Sequence, residues 1–169
     1  MKRANRYPLK ALGILSDLEA AELAELERMG ELRLLRAGEV IMREGENASS
    51  MCILVEGEVE ITRSLTLKTG RHDFGSAEKS MNRLRSDGGA VFGEMSMFAD
   101  HPRSATVVAR TDCAVRQVER EDFAAWCRER PESGIKVLSR IAAVLADRVR
   151  KGNDDVLKLS TALSIALAR

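Results

Sequence analysis

The sequence has almost no excess of charge of either sign. Its 169 residues include 27 Lys and Arg against 26 Asp and Glu, which leaves a net charge of +1. A protein that binds nucleic acid along its surface, or that binds polyacidic partners, needs a larger imbalance. We therefore expect any anion that this protein binds to be held locally, by a few well-placed groups.

The residues that metal and disulfide chemistry require are also scarce. The three cysteines, Cys52, Cys113 and Cys127, are odd in number and too far apart for a metal knuckle, so we expect reduced and mostly buried thiols. The two histidines, His72 and His101, have no Cys or acid at a metal-ligand spacing. These absences argue against a metal-dependent phosphodiesterase and against a haem or iron–sulfur protein, and we expect no metal and no catalysis.

Long hydrophobic runs are missing as well. The basic start MKRANRYPLK leads into no apolar segment of the kind that signal peptides contain, and runs such as IAAVLA are far shorter than a membrane span. We therefore expect a soluble cytoplasmic protein that does not contact a membrane.

A helix is predicted near the start of the chain. In LSDLEAAELAELERMG, residues 15–30, apolar residues recur at helical spacing. Ser16 is the expected N-cap, Glu19 would close a capping box, and Gly30 would end the helix.

The hydrophobic period then changes to two. The segments ELRLL, EVIMR, MCILV, EVEIT, SATVVA and AVRQVE alternate in the manner of short antiparallel strands, with turn glycines such as Gly57 between them. Residues 63–89 are polar and basic, and they suit either an extended hairpin or a mobile loop with one helical turn at residues 77–84. Nucleic-acid binding through this segment is an alternative hypothesis, although a solvated loop is the simpler interpretation.

The C-terminal part is predicted to be helical. EDFAAWCRER forms a short helix that ends at Pro131, and Pro131 suits the first turn of a last helix that reaches almost to Arg169. Apolar or small residues in this helix alternate in steps of four and three, which is a heptad seam: Leu138, Ala142, Leu145, Val149, Gly152, Val156, Leu159, Leu163 and Ala166. The seam would pair with a second copy or pack on the chain's own strands, unless RKGNDD breaks the helix.

Together these patterns predict a mainly β fold with flanking helices. An N-terminal helix precedes a compact barrel or sandwich of about eight short strands, and a long helix follows it. We expect residues 10–130 to form the β domain and residues 131–169 a helical segment, with no effector domain after it.

One segment carries the chemistry, VFGEMSMFADHPRSATV at residues 91–107. Glu94 follows a glycine and Arg103 follows a proline nine positions later, among apolar residues. Unpaired charges there are costly, so the two pair with each other or a ligand pairs with both. EMSMFA can form a short helix whose first N–H groups attract an anion, and the guanidinium fork of Arg103 suits a phosphate. Glu94 would repel a bare phosphate, so the ligand should also donate hydrogen bonds, as a ribose hydroxyl does, and a nucleotide is indicated.

This segment resembles the phosphate-binding cassette of the cyclic-nucleotide-binding domain family, which includes the catabolite activator protein, the regulatory subunit of protein kinase A and cyclic-nucleotide-gated channels. The resemblance extends through GEVIMREGENASSMCILVEGEVEI and covers roughly residues 15–150. It implies a double-stranded β-helix (jelly-roll) barrel. It also implies that Glu94 accepts from the ribose 2′-hydroxyl, that Arg103 binds the cyclic phosphate, and that Gly93 lets the chain approach the sugar. The ligand-binding residues that it implies are Phe92, Gly93, Glu94, Met95, Ser96, Arg103, Ser104, Ala105 and Asn153, with backbone N–H groups near Ser96 and Ser104 completing the phosphate site.

The resemblance suggests partners too. Ser104 is compatible with cAMP or cGMP, and the run Arg-Ser-Ala-Thr favours cAMP because it resembles bacterial cAMP-binding members. Asn153 would reach the edge of the base, the last helix would form a homodimer, and a separate protein would be the effector. Two alternatives stay open: the sensor part of a transcription regulator of the catabolite activator type without its DNA-binding domain, or a degenerate domain that now binds proteins.

Overall fold

Eight strands and four α-helices make up the described part of the chain. The computed structural model describes residues 7–68 and 74–167, without the side chains of residues 65–68 and 74–79. The helices are α1 (Ala20–Met29), α2 (Met95–Phe98), α3 (Arg120–Glu129) and α4 (Pro131–Leu167). The strands are β1 (Glu31–Leu35), β2 (Val40–Met42), β3 (Ser50–Glu56), β4 (Glu58–Lys68), β5 (Phe74–Arg85), β6 (Val91–Phe92), β7 (Thr106–Ala109) and β8 (Cys113–Glu119).

The strands form two four-stranded antiparallel sheets. One sheet has the order β1-β8-β3-β6 and the other the order β2-β7-β4-β5. The turn between β3 and β4 is made at Gly57, whose φ of 96° is a conformation that other residues adopt only with strain. The predicted mainly β fold with an N-terminal helix and a long C-terminal helix is thus confirmed, as a sandwich of two sheets.

Strand β3 contributes to two hydrophobic cores because it is buried on both faces. Cys52 and Leu54 point into a core between the two sheets that also contains Val59 from β4 and Phe92 from β6. The alternate residues, Met51 among them, join a second core beneath the helices. A strand buried on both faces shows a continuous apolar run, as MCILV does. The cassette residues leave the sheet at β6, directly beside this strand.

Helix α1 begins three residues later than predicted, so Ser16 is not its N-cap. Glu19 occupies that position, and its backbone N–H donates to the Glu22 side chain at 2.7 Å in a capping box. The physical reason lies in the preceding residues, since Ile14 and Leu15 are buried in the helical core and hold their segment in a 3-10 turn.

The described residues 63–68 and 74–85 belong to the two strands of an extended hairpin, and the alternative with a helical turn at 77–84 is wrong. Strand β5 pairs with β4 in antiparallel register from Glu58 opposite Arg85 to Lys68 opposite Phe74. This pairing satisfies the backbone groups that a helical turn would otherwise have to satisfy. Residues 69–73, part of the basic segment considered for nucleic acid, lie outside the described residues.

Helix α4 is continuous through Gly152, so the predicted alternative of a break at RKGNDD is wrong. Its first part packs on the protein through Val137 and Ile141, which are almost fully buried, and less tightly through Leu145. From Val149 onward the apolar residues are exposed. These two buried residues lie one position before the predicted seam residues Leu138 and Ala142, which are exposed, so of the seam only Leu145 packs on its own domain.

The three cysteines are free, as predicted, with Cys52 and Cys113 buried and Cys127 partly so. Burial raises the pKa of the Cys52 thiol to about 12. Among the described helices, none combines the length and the apolar composition that crossing a membrane would require.

Candidate functional site

The site is built where β6 gives way to α2. Phe92 ends β6 inside the core, and Gly93 follows with a φ of 77°. A Cβ at this glycine would lie 2.6 Å from the Nη1 atom of Arg103, so a side chain there would collide with the guanidinium. Glu94 is the N-cap of α2, the short helix that the sequence predicted after Gly93. The glycine therefore lets the arginine approach the chain.

Arg103 is buried, with 6% of its surface exposed, and it is held by neutral acceptors. Its Nη1 atom donates to the carbonyl oxygen of Ser50 and, at 3.0 Å, to that of Gly93, and its Nη2 atom donates to Ser50 Oγ at 2.9 Å. Burial lowers the pKa of the guanidinium from its ordinary value. These three hydrogen bonds use three of the five N–H groups of an arginine and leave two outside these contacts.

Glu94 is even more deeply buried, at 2% exposure, and it does not pair with Arg103. Its Oε1 atom accepts a hydrogen bond from Arg148 of α4. Its Oε2 atom is buried, and no group in the described part of the chain donates to it. A buried carboxylate oxygen without a donor is costly, on the order of 1–3 kcal/mol or more. Of the two predicted arrangements, a direct Glu94–Arg103 salt bridge is the one that the geometry does not support.

The predicted cassette residues come together around one pocket. All eight predicted residues at positions 92–96 and 103–105 line it, and its volume is about 90 Å³. Ser96 is buried in α2, whereas Ser104 lies at the surface with its hydroxyl 3.8 Å from the Met95 sulfur. Asn153 does not line this pocket and is exposed on α4, five residues beyond Arg148.

Arg148 is a charged residue of this pocket that the sequence did not predict. It lines the pocket, pairs with Glu94, and lies 3.4 Å from the backbone oxygen of Val91. In the sequence it is one of several charged residues in DRVRKGNDD, next to the seam position Val149. Nothing in that local pattern separates it from a solvated arginine, because its role depends on how α4 crosses the β6–α2 junction.

A larger and mostly apolar cavity of about 390 Å³ adjoins the site. Ile14, Val91, Ile141 and Val144 are among the residues that line it, and Glu94 and Arg148 border both spaces. The Glu94–Arg148 pair thus forms a shared wall between the cassette pocket and a space beneath the first part of α4.

Across residues 7–68 and 74–167, no group of three or more His, Cys, Asp or Glu side chains is placed to hold a metal ion. The charges of the site are one carboxylate and two guanidinium groups, which suits a ligand that carries both an anionic group and hydroxyl donors.

Comparison with known proteins agrees with this geometry. The sequence pattern of the cyclic nucleotide-binding domain matches residues 32–130. The chain is 32% identical, over 87% of its length, to Glutaminase 2 of Bradyrhizobium diazoefficiens, and spans 21% of that protein. It is 31% identical, over 68% of its length, to human cGMP-dependent protein kinase 2, and spans 14% of that protein. It therefore covers only a small part of these curated relatives.

Solved structures share the fold. Catabolite Activator Protein of Thermus thermophilus superimposes with a TM-score of 0.73 at 27% identity, over 88% of this chain and 63% of that one. The regulatory domain of Toxoplasma gondii PKA, crystallised with cAMP, gives a TM-score of 0.61 at 27% identity, over 84% of this chain and 50% of that one. Since the matched region exceeds half of the chain and contains both Glu94 and Arg103, this chain belongs to the cyclic nucleotide-binding domain family.

Proposed function

We propose that this chain is a non-catalytic regulatory module that binds a cyclic purine nucleotide and relays binding through α4. The observation that carries the proposal is the buried Glu94 carboxylate, which has one oxygen without a donor in the described part of the chain and lies in the same pocket as the buried Arg103. Together they offer an acceptor and a cation to one ligand.

In this proposal each charge has a defined task. The two remaining N–H groups of Arg103 bind the cyclic phosphate, and such charge-assisted bonds contribute roughly 1.5–3 kcal/mol. The ribose 2′-hydroxyl donates to Glu94 and satisfies the buried oxygen. Backbone N–H groups near Ser96 and Ser104 complete the phosphate site.

The base is proposed to be adenine. Support comes from the run Arg-Ser-Ala-Thr at positions 103–106, which resembles bacterial cAMP-binding members. The relatives differ in the nucleotide that their names give: one is named a cGMP-dependent kinase, and another was crystallised with cAMP. Asn153 is proposed to reach the base edge, which requires α4 to lie closer to the pocket.

Helix α4 is proposed to move when the ligand binds. The cassette pocket, at about 90 Å³, is smaller than the roughly 300 Å³ or more of typical small-molecule sites, and Arg148 borders both this pocket and the adjoining cavity of about 390 Å³. Arg148 closes the pocket by pairing with Glu94. A nucleotide whose ribose reaches the Oε2 atom of Glu94 needs the space that Arg148 borders, so binding shifts the population of α4 between two packings.

The exposed seam of α4 is proposed to pair with a second copy of this chain. Val149, Val156, Leu159 and Leu163 each expose about 60–70% of their surface at heptad spacing. Apolar residues repeated in this way on one helix are typical of a two-stranded coiled coil. The dimer would bring two ligand sites to one helical stem, on which a protein effector could act.

We further propose that residues 10–130 form the binding unit, that residues 131–169 form the output, and that the protein acts in the cytoplasm, where free thiols stay reduced. The alternative of a transcription regulator's sensor part shares the same site. The alternative of a degenerate domain is less favoured, because both Glu94 and Arg103 are present and line one pocket.

Thermal unfolding with cAMP, cGMP or 5′-AMP tests the binding proposal. A ligand at about 100 times its Kd adds about 2.7 kcal/mol, which raises the melting temperature by several degrees. We expect this rise with one cyclic nucleotide and not with 5′-AMP. Because Arg103 also holds Ser50 and Gly93, the rise is compared within each variant, with and without ligand, so that changes in basal stability cancel.

The matched variants are Glu94→Gln and Arg103→Lys, with Arg128→Ala as the control, since Arg128 is exposed on α3. Both site variants should lose most of the rise and the control should keep it. The absence of any rise in the wild-type protein would favour the degenerate domain instead.

A further inference from the structure

The short helix of the cassette is held at its C-terminal end by an arginine from outside the cassette. We propose that Arg120, the first residue of α3, is a positioning residue for the ligand site and fixes α2 in the orientation that binds the nucleotide. This inference rests on the proposed function, and it concerns a residue that does not line the ligand pocket.

Helix α2 needs external support because it contains only four residues. A single helical turn is unstable by itself, since its nucleation cost exceeds the gain from one hydrogen bond. Its C-cap, Ala99, is extended, with φ −142° and ψ 143°. The last carbonyl groups of the helix therefore have to find partners elsewhere.

Arg120 supplies these partners. Its Nη2 atom donates to the carbonyl oxygen of Ser96 and, at 3.3 Å, to that of Ala99. Its Nη1 atom pairs with Asp100 directly after the helix. A cation at the C-terminal end of a helix is also favoured by the helix dipole. One guanidinium group thus contacts Ser96, Ala99 and Asp100 of the cassette.

The backbone of Arg120 also connects α2 with the part of the site that holds Arg103. Its N–H donates to the carbonyl oxygen of Ser49 at 2.7 Å, and the next residue, Ser50, holds Arg103 through both its carbonyl oxygen and its hydroxyl. Arg120, which holds α2, and Arg103 therefore bind adjacent residues, Ser49 and Ser50, at the start of β3. A shift of α2 relative to Arg103 would separate the groups that the phosphate needs together.

The ion pair with Asp100 is the less important contact. Asp100 exposes 92% of its side chain, and exposed ion pairs contribute little. Arg120 also keeps its Nε atom buried, and no group among the described residues accepts from it. The contacts to the Ser96 and Ala99 carbonyl groups are the ones that fix the helix, and they predict how the variants should differ.

The experiment compares Arg120→Met, Arg120→Lys and Asp100→Asn with the control Arg128→Met on the same helix. Isothermal titration calorimetry with cAMP and cGMP measures affinity, and amide hydrogen exchange reports on residues 95–99 and on strands β3 and β8. We expect Arg120→Met to weaken binding by about tenfold or more, from the loss of charge-assisted bonds. Exchange at residues 95–99 should accelerate while β3 and β8 stay protected.

The other variants separate positioning from general stability. Arg120→Lys should recover part of the affinity, and Asp100→Asn and Arg128→Met should stay within about twofold of the wild-type protein. Wild-type affinity in Arg120→Met, unchanged exchange at α2, or an equal loss of protection throughout the core would each overturn the proposal. If the wild-type protein binds no cyclic nucleotide, the proposed function fails, and exchange at residues 95–99 still decides whether Arg120 holds α2.

Discussion

The two parts of α4 both carry apolar residues at helical spacing, but these residues lie in different surroundings. In the first part, Val137 and Ile141 expose 0% and 2% of their surface against the helical core. In the second part, Leu159 and Leu163 expose 70% and 60%. The seam residues Leu138 and Ala142 of the first part are exposed, so the heptad pattern alone does not say which face of the helix packs, or against what.

Polar anchors separate the two parts as clearly as burial does. Glu22 of α1 accepts hydrogen bonds from Ser133 and Lys136, and Asp17 pairs with Arg140 at 2.7 Å. All three α4 partners lie in the first part of the helix. Arg148 stands at the boundary, and its contact with Glu94 connects the anchored part of α4 with the ligand site. The function proposed here depends on that boundary.

The largest effect should come from truncating the buried part. Ile141→Ala is expected to lower the free energy of unfolding by about 2–5 kcal/mol, because it removes buried methyl groups and leaves a cavity. The matched change Leu159→Ala should alter it by less than about 0.5 kcal/mol in dilute protein. Urea unfolding of both variants at low concentration measures the difference, and equal losses would show that the second part is packed after all.

A charge on the exposed seam should change assembly and leave the fold intact. We expect the wild-type chain to sediment at twice the mass of one 18.6 kDa chain, and Leu159→Glu to sediment as a monomer, because a coiled-coil core excludes a carboxylate. Analytical ultracentrifugation measures the mass, and Lys158→Glu is the control beside the seam. A wild-type monomer at high concentration would contradict the dimer.

Removing the contact at the boundary should have a moderate effect. Arg148→Gln takes away the charged partner of Glu94, and we expect a loss of about 1 kcal/mol in the free energy of unfolding, since the Arg148 side chain is 42% exposed. Hydrogen exchange near residue 148 of α4 should accelerate. Arg150→Gln, which removes only an exposed pair with Asp147, is the control. Identical behaviour of the two variants would mean that the boundary contact does not hold α4.

The smallest effect is expected in the pH dependence of stability, through Asp17 and Glu22, the carboxylates that bind the first part of α4. The Arg140 guanidinium holds the pKa of Asp17 below its ordinary value of 3.8, and hydrogen bonds, chiefly from Ser133, hold the pKa of Glu22 below its ordinary value of 4.5. Carboxyl groups with lowered pKa stabilise the folded state above those ordinary values, and this contribution is lost as the pH falls through the lowered ones.

Urea unfolding at about pH 6 and about pH 3 tests this linkage. The wild-type protein should lose more stability between the two values than the double variant Asp17→Asn, Glu22→Gln. An equal loss in both proteins would assign the acid sensitivity to other carboxylates.

Much of this structure was predictable because local rules decide it. The apolar run MCILV, the proline that opens α4 and the spacing of Glu94 and Arg103 are each patterns of a few neighbouring residues. The start of α1 was not predictable from the local sequence, because the burial of Ile14 and Leu15 overrides the N-cap signal at Ser16. Arg148 and Arg120 were missed because they reach the cassette from helices that are distant in sequence, and only the packing brings them there.

The most direct measurement is isothermal titration calorimetry of cAMP, cGMP and 2′-deoxy-cAMP into the wild-type protein. We predict one site per chain for a cyclic nucleotide, and a large loss of affinity for the 2′-deoxy analogue, because a site built to accept a hydroxyl rejects a ligand that lacks it. In Glu94→Gln, the difference in affinity between cAMP and its 2′-deoxy analogue should be smaller than in the wild-type protein. Equal binding of the two nucleotides to the wild-type protein, or no binding of either, would contradict the assignment of Glu94 as the acceptor for the ribose hydroxyl.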